Sequence, residues 1–381
     1  MPSDVFFWNL RATRKAAYDV RLRRLLKAGG VSDVVRSGDL AAVKMHFGES
    51  GVTGFITPTW VRPIVAFLRK LGARPFLTDT NTLYVGQRGE AVSHGMLAAE
   101  HGFDPLLLQA PVIIADGLNS RNEVSVPFPG KHVQEAHLAG DILAADSLLT
   151  LSHFKGHELA GIGGSLKNLA MGCATRRGKM HQHGCLAPMV HADKCKGCGA
   201  CVEVCASGAL RVRPEGPKGH EGKVELNPEL CVGCGACLHV CREKCLAVDW
   251  KTDVTAFVER MMEYAAAVLR AMETPQRPSP ACVHVSFVTQ VTPQCDCAGY
   301  SDKPVCPDIG VLVSRDPVAL DQACLDMVNA APPLHPSHLP PDIRPGDDKF
   351  RAMHPHVPED YGLAYAEGLG IGTRNYVVRE I

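Results

Sequence analysis

Residues 195–205 read CKGCGACVEVC, and residues 231–241 read CVGCGACLHVC. Each run fits Cys-x2-Cys-x2-Cys-x3-Cys, with Gly and Ala between the first three sulfurs. A cube of iron and sulfide needs four thiolates converging from a tightly wrapped backbone, and small spacers let the loop close around it. Two such runs predict two [4Fe–4S] clusters. Zinc is the rival occupant. It usually takes two separated pairs of ligands, whereas here three cysteines at x2 spacing and a fourth at x3 occur twice.

The two runs resemble a bacterial-type ferredoxin module. In two-cluster ferredoxins the fourth cysteine of each run ligates the other cluster. The resemblance therefore implies one set made of Cys195, Cys198, Cys201 and Cys241, and a second made of Cys231, Cys234, Cys237 and Cys205. The proline that usually follows the fourth cysteine is missing, with Ala206 and Arg242 in its place. That weakens the local turn and leaves the ligand set intact.

The chain of 381 residues is long enough for two ordinary domains, or for one large domain carrying an insertion. Its 40 basic and 40 acidic residues give zero formal charge, so no sequence-wide field draws it to nucleic acid or to an anionic membrane. Eight of the sixteen cysteines sit in the two runs. Thiolate ligands of oxygen-sensitive iron must stay reduced, which argues against a disulfide framework and for a cytoplasmic protein. The opening MPSDVFFWNLRATRK holds an apolar run too short for a signal-peptide core, and no stretch is long enough to span a bilayer.

Outside the runs, strand and helix patterns alternate. Helical spacing marks about 13–28 (Tyr18, Leu22, Leu25, Leu26), 58–72 with Pro63 placed in the first turn, 90–101 and 254–272. Strand patterns mark 40–45, 74–79, 111–115, 142–151, 283–288 and 309–313, and Asp316-Pro317 opens a further helix. The proline-rich tract 331–345 reads as a linker or surface wrap, and 361–381 as a short helix and strand. The sequence thus predicts a layered α/β sheet domain with a small inserted α+β module: 1–190 and 248–381 form the α/β domain, and 191–247 the insertion. Within the insertion, RVRPEGPKGHEGKVEL suggests two strands joined by a turn, and eight acidic residues balance eight basic ones over 191–250.

Four segments, VKMHFGESG (43–51), LTDTNTLYVGQR (77–88), SHFKGHELAGIGGSLKNLAMGCATRRGKMHQHG (152–184) and TPQCDCAGYSDKPVCPDIGVLVSRDPVALDQACLDMVN (292–329), resemble the domain-of-unknown-function 362 family of uncharacterised iron–sulfur centre proteins. The resemblance implies an α/β domain with an inserted ferredoxin module. It implies no reaction.

Ligands gather beyond the C-terminal ends of strands in such sheets, and several polar clusters fall there. Lys44 and His46, then His153, Lys155, His157 and Lys167, are candidates for an anion-binding or acid/base surface. Cys295 and Cys297 lie one residue apart at an expected strand end, where alternate side chains of an extended chain point the same way. With Cys173, Cys306, His181 or His183 they could form a third, soft metal site, or they are ordinary buried thiols. Asp79, Asp302, Asp316 and Asp321 could add oxygens, while Cys185, Cys245, Cys282 and Cys324 receive no role. Gly161, Gly163 and Gly164 match neither phosphate-loop pattern. The reading that follows is an iron–sulfur oxidoreductase that relays single electrons to the α/β domain, with a redox partner protein or a small-molecule acceptor. Its rival is a non-catalytic electron carrier or metal-handling protein.

Overall fold

The computed structural model describes residues 2–184, 187–213, 222–248, 253–277, 279–357 and 360–381. Eight strands form one sheet: β1 (Ser3–Trp8), β2 (Leu40–Lys44), β3 (Arg74–Asp79), β4 (Val112–Ile114), β5 (Ser147–His153), β6 (Cys282–Val288), β7 (Gly310–Ser314) and β8 (Tyr376–Glu380). Their order is β8-β1-β7-β6-β5-β2-β3-β4. Only β7 runs against the rest, pairing antiparallel with both β1 and β6. The fold is thus mixed α/β around a mostly parallel sheet.

The centre of the sheet follows from its composition. β5 (SLLTLSH) and β6 (CVHVSFV) are buried along their whole length, as strands covered on both faces must be. Two separate groups of helices supply the cover. One is α1 (Tyr18–Ala28) with α2 (Pro58–Lys70), and a further helix, α3 (Ala91–Glu100), packs on β4. The other group contains α4 (Ser165–Cys173), α5 (Arg176–Gln182), α6 (Val254–Ala271), α7 (Pro317–Ala330) and α8 (Tyr361–Gly368). In α7 the Asp316 carboxylate accepts from the amides of Val318 and Ala319, both at 2.9 Å, so the expected cap is present.

Several expectations shift. Pro63 lies inside α2, because the helix already begins at Pro58, whose missing N–H costs nothing in the first turn. The segment 142–151 divides into a helical turn, Gly140–Leu143, and strand β5. The opening residues, read only for a targeting signal, form β1. Cys295 and Cys297 are not on a strand: the Ala298 amide donates to the Cys295 carbonyl at 2.9 Å, closing a turn.

A cysteine-rich insert occupies the region around residues 190–250. It enters and leaves through paired strands, with Met189 opposite Ala247 and Val190 opposite Leu246. A second pair, Leu210–Val212 with Val224–Leu226, matches the expected hairpin strands, and their joining turn lies outside the described residues. Cys185 also lies outside them. The insert has its own apolar cluster, in which Cys195, Cys201, Cys237 and Cys245 pack with Leu210, Val224, Leu238 and Leu246. Among the described residues no helix is long and apolar enough to cross a membrane. The tract 331–345 runs over the surface without helix or strand.

Candidate functional site at the strand ends

The parallel strands end on one side of the sheet, and a cavity of about 480 Å³ opens there. Lys44, His46, His153, Lys155, His157 and Lys167 all line it, together with Asp79, Arg88, Lys179, Cys295 and Cys297. Lys44 closes β2, Asp79 closes β3 and His153 closes β5, so strand register alone brings these three to one rim.

Charged groups in the wall are paired in a fixed way. Lys44 Nζ lies 2.9 Å from Asp79 Oδ1 and 2.8 Å from Asn168 Oδ1. Arg88 reaches Glu49 Oε2 at 3.1 Å and Asp79 Oδ2 at 3.3 Å, and also touches the Tyr84 hydroxyl. Burial alone would raise the Asp79 carboxyl, but Lys44, His94 and Arg88 outweigh it and hold the group well below the usual range. Asp296 behaves alike. Burial opposes its charge, and His153 Nδ1 at 2.9 Å with Lys155 Nζ at 3.0 Å restores it. His153 Nε2 faces the Thr289 carbonyl at 3.0 Å, so the ring is clamped at both nitrogens.

Two groups are less committed. His46 Nδ1 accepts from the Gly48 amide at 2.8 Å, while its buried Nε2 has no hydrogen-bond partner among the described residues. Lys179 Nζ meets only neutral oxygens, Thr80 Oγ1 and the Ala174 carbonyl, both at 2.6 Å. Burial lowers it to about 8, with Asp116 and Asp79 opposing.

On the far wall the ligand atoms of His157, Cys295 and Cys297 lie within 4.8 Å of one another. This His/Cys triad could bind metal, since two thiolates and an imidazole suit a soft ion. Lys167 Nζ stands 3.1 Å from Cys295 Sγ. The hydrogen bond from Cys297 draws the Cys295 thiol well below its ordinary value against the opposing effect of burial, and Lys167 and His157 assist. Cys297 is pushed correspondingly high by the same bond.

The other residues expected here lie elsewhere. Cys173 sits at the C-terminal end of α4, hydrogen-bonded to the Asn168 carbonyl and outside the cavity lining. Cys306 packs in the main core. His181, on the opposite side of α5, contacts Tyr264. His183 does line the cavity, stacked on Phe257 at 4.8 Å, but does not join the triad. The helix turn rotates His181 and His183 apart, and His157 takes the expected place. Asp321 caps α4, accepting from Ser165 and Leu166 at 2.7 and 2.9 Å, so that helix start is already occupied. Asp302 stays on an exposed loop. Sequence reasoning passed over Asp296, Arg88 and Leu83, although all three lie within segments 77–88 and 292–329.

The cysteine-rich segments present sulfur groups that could bind metal. Cys195, Cys198, Cys201 and Cys241 line one small hollow, with Cys245 beside them. Cys195 Sγ accepts from the amides of Gly197 and Val224, each at 3.4 Å, and Cys241 Sγ from that of Cys245 at 3.3 Å. Gly197, Gly199, Gly233 and Gly235 adopt positive φ, which a side chain would strain. Around Cys237, burial pushes the thiol up to about 12, and neighbouring Cys234, Cys231, Cys201 and Cys205 add to the shift.

The insert meets the cavity at the loop after β3. Leu83 lines the cavity and also belongs to the insert's apolar cluster with Cys237 and Leu238. A Cβ added at Gly89, in the same loop, would stand 2.5 Å from His239 Nδ1.

A mixed α/β sheet with a cysteine-rich insert and a polar cavity at its strand ends defines the class. The chain belongs to the family described as Domain of unknown function (DUF362), whose profile matches residues 41–326. No curated protein matches it. Among solved structures it is similar to the lactate racemase apoprotein from Thermoanaerobacterium thermosaccharolyticum, at 14% identity and a TM-score of 0.33. That match covers 48% of this chain and 41% of the other. A Thermotoga maritima protein solved by a structural genomics consortium matches at 8% identity and a TM-score of 0.38, covering 73% and 52% respectively. The chain thus spans about half or less of these two proteins.

Proposed function

We propose that this protein is an iron–sulfur oxidoreductase in which the insert at 191–247 passes single electrons to a small anionic acceptor in the cavity. Two [4Fe–4S] clusters, when bound, supply one-electron carriers. Cys195, Cys198, Cys201 and Cys241 would hold one, and Cys231, Cys234, Cys237 and Cys205 the other. The amides aimed at Cys195 and Cys241 sulfurs fit thiolates that carry cluster charge, and the positive-φ glycines fit a wrapped loop. The ferredoxin-like character of the insert and the 191–247 boundary are part of this reading.

One observation carries it: Leu83 is shared by the cavity wall and by the packing around Cys237. This reading has the second sulfur group packed against the cavity wall through Leu83. Buried Lys44, Lys155, Lys179 and Arg88 and half-buried Lys167, with the unpartnered Nε2 of His46, favour an acceptor bearing a carboxylate.

Iron and sulfide analysis, EPR and anaerobic stopped-flow on one preparation test the proposal. The expected result is about eight iron per chain, with dithionite-reduced clusters that reoxidise when a small carboxylate-bearing acceptor is added. Colourless protein that retains zinc overturns it. Clusters that reduce a protein partner and ignore every small acceptor favour a plain electron carrier.

A further inference from the structure

Cys295 and Cys297 have a geometry that a metal site does not need. They occupy the first and third positions of a turn closed by the Ala298 amide, and their sulfurs lie within 4.8 Å of each other, so a small rotation of the side chains would bring them to bonding distance. Both lie beside the cavity, and Lys167 Nζ donates to the Cys295 sulfur at 3.1 Å.

The orientation of His157 is the second observation. Its Nδ1 accepts from two backbone amides, those of Leu159 at 3.1 Å and Ala160 at 3.0 Å. The neutral ring must then carry its proton on Nε2, and a ring nitrogen lies within 4.8 Å of the Cys295 and Cys297 sulfurs. A metal-bound histidine ordinarily does the reverse, binding through one nitrogen and donating a proton from the other. With Nδ1 committed to two N–H groups, ligation through Nε2 would strip the ring of its last proton. As placed, His157 and Lys167 both stabilise a sulfur anion at Cys295.

We propose that Cys295 and Cys297 form a redox-active dithiol that gathers two singly delivered electrons and passes them as a pair to a small carboxylate-bearing disulfide. This rests on the electron relay proposed above. Starting from the internal disulfide, one electron from each reduced cluster and one proton break the S–S bond, leaving Cys295 as thiolate and Cys297 as thiol. The clusters are recharged by a one-electron donor protein. The Cys295 thiolate then attacks one sulfur of the substrate disulfide, forming a mixed disulfide and expelling one thiolate. Cys297, giving up its proton, attacks Cys295 Sγ, which releases the second thiolate and restores the internal disulfide. Per cycle, one disulfide, two electrons and one proton yield one thiol and one thiolate.

The pair also solves a matching problem. Clusters release electrons one at a time, whereas disulfide cleavage needs two. A dithiol between them moves the one-electron stage, a disulfide radical anion at Cys295–Cys297 beside the Lys167 ammonium, from the substrate onto the protein, and the second electron with one proton resolves it to thiolate and thiol.

The experiment uses cluster-loaded full-length protein under anaerobic conditions, with L-cystine as the probe. Diamide treatment, alkylation and mass spectrometry of the peptide containing residues 292–303 should show a Cys295–Cys297 disulfide. Dithionite titration of that form should consume about two more electrons per chain than the Cys297→Ser variant. With cystine, Cys297→Ser should stall as a mixed disulfide on Cys295, and wild type should not. Iron content and the EPR signal, read on every sample, separate the outcomes. Intact clusters with both cysteines still alkylatable after diamide, or with zinc retained by them, overturn the dithiol and leave the relay standing. A diamide-formed disulfide in protein lacking iron and sulfide overturns the relay and with it the cluster-fed cycle.

Discussion

Lys44 Nζ stands 2.9 Å from Asp79 Oδ1 at the ends of adjacent strands, with side-chain exposures of only 1% and 6%. Truncating Lys44 leaves the buried Asp79 carboxylate with Arg88, at 3.3 Å, in place of two close cations. Lys44→Met should therefore destabilise the protein by about 3 kcal/mol in urea unfolding. Pairing it with Asp79→Leu should recover much of that loss, because Arg88 keeps Glu49 at 3.1 Å. A double variant no better than the single one would mean that the ion pair is not the source of the effect.

Leu83 joins the insert to the cavity, and shortening it tests that connection. Leu83→Ala should cost about 2 kcal/mol by leaving a void in the insert's apolar cluster. Cluster reoxidation by a cavity acceptor should slow, whereas reoxidation by ferricyanide at the surface should not. Equal slowing of both reactions would point to damaged clusters rather than a lost contact.

Lys179 gives the site a pH dependence. Burial lowers it to about 8, against about 10.4 in an unfolded chain. Between those values the native state binds fewer protons than the unfolded state, so this lysine's contribution becomes more favourable as pH rises. The stability of wild type relative to Lys179→Met should improve by up to about 3 kcal/mol over that window. Urea unfolding of both proteins at several pH values reads it, and a flat difference contradicts it. Binding of a carboxylate in the cavity should weaken above pH 8, as the charge is lost.

Stripping iron should act locally. The insert's own cluster is small, four cysteines with a handful of Leu, Val and Met side chains, too little apolar surface to hold it without bound metal. Hydrogen exchange after chelation should rise across 190–248 while β5 and β6 keep their protection. Uniform exchange throughout would show the sheet depending on the insert.

The sequence made the sheet's interior legible where periodicity was strong. Strands at Leu40–Lys44, Arg74–Asp79 and Cys282–Val288 fall within a residue or two of their expected places. Ser3–Trp8 was not recognised, because its pairing with β7 and β8 is decided by residues more than 300 positions away. The six Lys and His candidates do share one cavity: parallel strands deliver Lys44 and His153 to the same side, the chain just beyond those strands brings His46, Lys155 and His157, and helix α4 brings Lys167. What stayed hidden was partnership. No spacing rule says that His157 rather than His181 faces Cys295, since three different elements aim those side chains: the short hairpin strand Lys155–His157, a helix for His181 and a turn for Cys295. Arg88 and Leu83 were equally silent, being ordinary residues made special by what folds against them.

The insert's entrance and exit lie side by side, with Met189 facing Ala247 across a two-stranded neck. A gap that narrow can be bridged by a few residues, so the sheet domain need not stretch to accommodate whatever is threaded through it. The same scaffold can host a different appendage, or none. Under the proposed relay, swapping that appendage would retune which donor feeds the cavity without redrawing the cavity itself.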